Sequence, residues 1–167
     1  MTSSFDRPVR LITAGIVSGL AAGACMAAYL LAATAVMDAV NGFPSAIAAG
    51  YEFTAAALVG PSARGNPAYI PLGIALHFAV SIGWALGYVY LARTQPALVN
   101  RPVLSGVSFG LVVFFAMQVV LVAANTYVPP TPRSLLNGLI AHCVFYGIPL
   151  GLVAARYQTH PADASTR

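Results

Sequence analysis

From Tyr69 to Ala92 the chain carries no Asp, Glu, Lys or Arg. A helix needs about 20 residues to cross the hydrocarbon layer of a bilayer, so this stretch has membrane length. Three further uncharged runs resemble it: Leu11–Met37, Pro102–Asn125 and the stretch from Leu135 up to Arg156. Only helices and closed barrels satisfy the backbone in lipid. None of these runs shows the polar–apolar alternation of barrel strands. Of 167 residues, 59% are apolar and 7% charged, too few charges to cover a soluble surface, which is normally about a quarter charged. The expectation is an all-α membrane protein. Residues 1–167 form a single domain of four transmembrane helices, at about 11–37, 69–92, 102–125 and 135–156.

All eight basic residues are arginine, and six fall on one side of the expected topology. Arg7 and Arg10 precede the first span, Arg93 and Arg101 flank the loop between spans two and three, and Arg156 and Arg167 close the chain. Arg64 and Arg133 lie on the other side. The positive-inside rule then places both termini in the cytoplasm, with the bacterial inner membrane as the expected location. The net charge of +4 suits anionic headgroups. No basic patch interleaved with aromatics points to nucleic acid. The first apolar run is longer than the 7–15 residues of a signal-peptide core, so it is expected to be retained.

Between the spans, Asp38 and Asn41 mark the first membrane exit, and a long outer loop follows. Within it residues 45–59 read as a short interfacial helix, with Ile47, Tyr51, Ala55 and Leu58 on one face. Glu52 is expected to be a solvated charge there. Tyr88 and Tyr90 suit the aromatic belt near the inner end of span two. Pro149, inside span four, is expected to kink the helix and free the carbonyl of Phe145. Met1–Pro8 and Tyr157–Arg167 read as polar tails.

Spans one and three share a pattern at one constant offset. Gly15-x-x-x-Gly19-Leu20 with Met26 parallels Gly106-x-x-x-Gly110-Leu111 with Met117. Spans two and four share Gly73-x-x-x-His77 and Gly138-x-x-x-His142. The chain therefore reads as two parallel helical-hairpin repeats, with the interfacial helix inserted in the first. Small residues four apart let helix backbones approach, so these six glycines are expected to pack helices, within the bundle or between copies in a homo-oligomer.

The run His77-x-x-x-Ser81-Ile82-x-x-Ala85-x-Gly87-Tyr88 resembles the equivalent helix of the YagU-like bacterial inner-membrane proteins. The likeness continues through Gly106-x-x-x-Gly110, the Pro129-Pro130 turn and the Gly138 to His142 region. It implies a small multi-pass membrane protein with no assigned chemistry and a loose link to acid tolerance. That pattern carries a histidine where this chain has Gln118.

His77 and His142 lie at matching depths, roughly 10–12 Å below the outer boundary at 1.5 Å per residue. Cys25, Cys143, Met26, Met117 and Gln118 fall near that level, with Ser81 and Tyr146 one turn deeper. Three readings of this polar belt compete. The plainest is a structural or accessory protein whose two neutral histidines bond each other, Ser81, Tyr146 or a carbonyl, and so specify packing. The second is a small transporter, handling protons or a small solute through His77 and His142. The third is a centre binding haem b between the two histidines, or a soft metal with Cys25 and Cys143; no cofactor is required by the pattern. The four acidic residues are scattered, and there is no nucleophile elbow, phosphate loop or His-Glu-x-x-His, so an enzyme is not expected. The lipid bilayer is the expected partner.

Overall fold

The computed structural model describes residues 6–41 and 46–159. Most of both expected tails, and Ser45 at the start of the outer helix, lie outside the described residues. The chain forms α1 (Asp6–Asn41), α2 (Ala46–Val59), α3 (Ile70–Thr94), α4 (Pro96–Asn100), α5 (Pro102–Ala123) and α6 (Pro132–Ile140). A wide π-helical turn, Ala141–Gly147, then leads into α7 (Ile148–Thr159). Among the described residues four helical stretches are long and apolar enough to cross a membrane: Pro8–Val36, Pro67–Thr94, Pro102–Ala123 and Pro132–Tyr157. The protein is thus an all-α, multi-pass membrane protein.

Prolines set the helix starts. Pro71, Pro96, Pro102 and Pro132 each occupy a first turn, where the missing N–H has no helical partner in any case. Thr131 caps α6 by accepting the Ser134 N–H at 3.2 Å. Two ends differ from expectation. Helix α1 begins at Asp6 and runs past Asp38 to Asn41, so part of the first tail and the membrane exit are helical. No glycine or proline interrupts Met37–Asn41, and Gly42 follows. Helix α7 likewise passes Arg156 to Thr159, the last described residue.

The expected proline kink takes a specific form. The backbone widens to π-helical pairing over Ala141–Gly147, just before Pro149. A π-turn bonds i to i+5 instead of i+4, which lets the chain pass a residue that has no N–H to give.

Close contact between helices follows the glycines. A Cβ on Gly19 would stand 2.6 Å from the Ile82 Cα, and one on Gly15 would run into Leu86. In the second hairpin a Cβ on Gly106 would overlap the carbonyl of Gly147, and one on Gly110 that of His142. Gly73 has a different neighbour: it admits the Tyr51 carbonyl, and so seats α2 rather than another span. Gly138 faces the Phe114 ring.

Three expectations about exposure are corrected. The buried face of α2 is Glu52, Ala55 and Ala56, whereas Leu58 is 65% exposed. The reason is the notch at Gly73, which fixes how α2 is rolled against α3. Glu52 is not a solvated charge: it is 6% exposed and its Oε2 accepts the Gly65 N–H at 2.8 Å. Tyr88 is not a belt residue either. It is buried, 2.8 Å from the Ser105 hydroxyl, which itself reaches the Leu98 carbonyl at 2.7 Å; together they clamp α4 onto the bundle.

Candidate functional site

Helices α3 and α5 come together through rings at one end. The Trp84 and Phe109 centroids lie 6.1 Å apart, and those of Tyr88 and Phe109 5.0 Å. Beyond these rings, towards the α2 end, residues of both helices line a cavity of about 540 Å³. Its floor includes Trp84, Val113 and Tyr146. Phe53, Thr54 and Ala57 of α2 and the turn Val128–Thr131 line its rim. A guanidinium ties these two rim segments together: Arg64 donates from Nη2 to the Thr126 carbonyl while lying 5.0 Å over the Phe53 ring.

The sequence places several polar residues at one level, and the fold turns most of them onto this one space. His77, His142, Ser81, Tyr146 and Gln118 all line the cavity, as do Met26 and Met117. His77, Ser81 and Trp84 recur at i, i+4 and i+7, one face of α3. Gly138, His142 and Tyr146 recur at i, i+4 and i+8 across the π-turn, a device that re-aims a helix face and is frequent at functional sites.

Each histidine has its own backbone partner. His77 Nε2 is 3.0 Å from the Gly23 carbonyl of α1, a bond between helices. His142 Nδ1 is 2.8 Å from the Gly138 carbonyl, within its own helix. A carbonyl can only accept, so both ring nitrogens are N–H donors. The remaining nitrogen of each neutral ring, Nδ1 of His77 and Nε2 of His142, is an acceptor. His77 also packs edge-on against Tyr51 and Phe78, and His142 against Phe114. Tyr146 donates to the Ser81 backbone carbonyl at 2.8 Å, joining α3 to the fourth span. His77 and Thr54 also border a second, smaller cavity of about 100 Å³ beside α1.

The cysteines do not join the histidines. Cys25 is exposed on the outside of the bundle, and Cys143 is half-buried. Neither lines the cavity. Among the described residues no three of His, Cys, Asp and Glu are grouped closely enough to hold a metal ion.

Several participants give no sequence signal. Phe53 and Thr54 reach the site only because α2 is seated on Gly73. Tyr29 donates to Asn137 Oδ1 at 2.7 Å and stacks on Phe145 with centroids 4.1 Å apart, fixing α1 to the fourth span. Nothing in their spacing, more than a hundred positions apart, announces that pair. Trp84, by contrast, lies two turns after His77 and was open to the helix-face argument.

Residues 9–165 match the model for a family of unknown function (DUF6789). No curated protein and no solved structure matches the chain.

Proposed function

We propose that this chain, which belongs to the family of unknown function DUF6789, binds a small, mostly apolar solute inside its membrane bundle. The observation behind the reading is the cavity of about 540 Å³ bordered by both histidines. Small-molecule sites typically measure about 300–1,000 Å³, with apolar walls and a few converging polar groups. Solute handling is favoured over a proton relay because, among the described residues, no carboxylate lines the cavity. The packing reading retains one half: His77 bonds α1 to α3, whereas His142 bonds only its own helix.

The finer placement belongs to the same proposal. Arg93, Arg101 and Arg156 fall at the bundle end opposite α2, which supports cytoplasmic termini in a bacterial inner membrane and a cavity facing outward. The paired glycine motifs support an internal duplication, and the His77–Tyr88 run supports kinship with the YagU-like proteins. A homo-oligomer would use glycines left open on the outside, such as Gly83 and Gly87.

A ligand that binds only the folded state raises its stability by mass action. Purified protein in lipid nanodiscs is expected to melt higher with neutral terpenoid-sized solutes. Met117→Trp, which puts an indole into the cavity, is expected to lose that shift. If no solute in a broad neutral panel moves the wild-type melting temperature, the reading fails.

A further inference from the structure

We infer that the occupant is an uncharged molecule whose apolar body carries a hydrogen-bond donor, such as an alcohol or phenol, and not a group that only accepts. The inference rests on the solute-binding reading above and narrows it to a chemical class.

Charge is the first constraint. Among the described residues no Asp, Glu, Lys or Arg side chain lines the cavity. The nearby carboxylate of Glu52 is occupied by the Gly65 N–H, and Arg64 is held by the Thr126 carbonyl and the Phe53 ring. An ion placed among these walls would lose its hydration and find no counter-charge.

The second constraint is the direction of the hydrogen bonds already made. His77 and His142 give their N–H groups to the carbonyls of Gly23 and Gly138, so each neutral ring keeps a lone pair. Tyr146 gives its hydroxyl hydrogen to the Ser81 carbonyl, and Thr54 gives its own to the Gly50 carbonyl at 3.0 Å. At the rim Ser134 donates to the Thr131 carbonyl, also at 3.0 Å. The wall is therefore rich in acceptors whose hydrogens are committed to the protein. Gln118, Ser81 and Trp84 are the lining residues with a donor not so committed, and Gln118 accepts as well as donates. An alcohol completes this pattern. A ketone or ether of the same shape can accept only from Gln118, Ser81 or Trp84 and leaves the imidazole lone pairs unmatched.

Menthol and menthone share a skeleton and differ in hydroxyl against carbonyl; the weak carbonyl absorption and quenching by menthone are subtracted with free tryptophan as the reference. Trp84 is the single tryptophan of the chain and lines the cavity, so its emission reports occupancy directly. With full-length protein in nanodiscs, and after correction for partition into lipid, menthol is expected to bind roughly fivefold to tenfold tighter than menthone, the worth of one net hydrogen bond. In His142→Phe both should still bind, with the ratio falling towards one. Menthylamine, a cation at neutral pH, should bind weakest. Equal binding of menthol and menthone, or a preference for menthone or the amine, overturns the inference and leaves the binding cavity standing. If none of the three changes Trp84 emission, the solute-binding reading falls and takes this inference with it. The wild-type ratio is measured independently of the variant, so poor folding of His142→Phe does not remove the test.

Discussion

The two hairpins use one device in different ways. Where α1 meets α3, side chains fill much of the seam: Gly15 takes Leu86 and Gly23 lies beside Phe78 and Ser81, while Gly19 touches backbone, that of Ile82 and Ser81. Where α5 meets the fourth span, glycine meets glycine. Gly106 abuts Gly147, and Gly151 abuts the Pro102 carbonyl, so backbone touches backbone. The histidines differ accordingly. His142 lies against the second glycine of its partner's motif, Gly110, whereas His77 bonds Gly23, one turn beyond the second glycine of its own. Matching sequence motifs have therefore settled into registers about one turn apart. Small residues permit close approach without dictating the register; the opposing side chains choose it.

The sharpest way to break this contrast is to add one methyl group at each contact. In Gly106→Ala the new Cβ meets the Gly147 carbonyl, which cannot swing aside. The expected loss is about 3 kcal/mol, the upper end for overpacking, read as a lowered midpoint of unfolding in mild detergent. Gly15→Ala meets the end of the Leu86 side chain, which can rotate away, so about 1 kcal/mol is expected. Equal losses would mean that the hairpins are packed alike.

The histidines give a smaller and more selective contrast. His77→Phe removes a bond between α1 and α3, worth about 0.6 kcal/mol on average between membrane helices. His142→Phe removes only a bond inside one helix and is expected to leave the melting temperature unchanged. A larger loss at His142 than at His77 would reverse the assignment of the packing role. Tyr29→Phe, which deletes the link to Asn137, should resemble His77→Phe in size, about 0.6 kcal/mol.

At the bottom of the scale is Gly83→Ala. Nothing lies within 4 Å of the added Cβ, so the change should be neutral or stabilise by up to about 1 kcal/mol through helix propensity. In lipid, a marked loss of stability or a change in oligomer size on a native gel would instead show that Gly83 is covered by another copy.

Much of the architecture could be read from hydropathy and punctuation. Four uncharged runs required four helices, and Pro149 marked where the fourth is distorted; that the last span starts as early as Pro132 was not legible. The face shared by His77 and Ser81 follows from helical periodicity alone, as does that shared by His142 and Tyr146. What stayed hidden depends on how helices roll and slide. The burial of Glu52 comes from the seating of α2 in the notch at Gly73, and helical spacing alone does not say which face of α2 meets α3. The clamp of Tyr88 on Ser105 depends on a short loop folding back. The outward turn of Cys25 depends on which face of an almost uniformly apolar helix meets its neighbours.

By itself the sequence determined the solvent, the number of crossings and the level at which polar groups sit, because each follows from chain length, charge and a fixed rise per residue. Only the tertiary structure decided that residues of α3 and α5 line one cavity beyond their ring contacts. It also decided that the two imidazoles bond to different carbonyls rather than to each other, and that α2 and a proline-rich turn form the rim. The physical reason is that an apolar helix has no strongly preferred face in lipid. Its rotation and register are fixed by side-chain fit against particular neighbours, and that fit exists only once the helices are together.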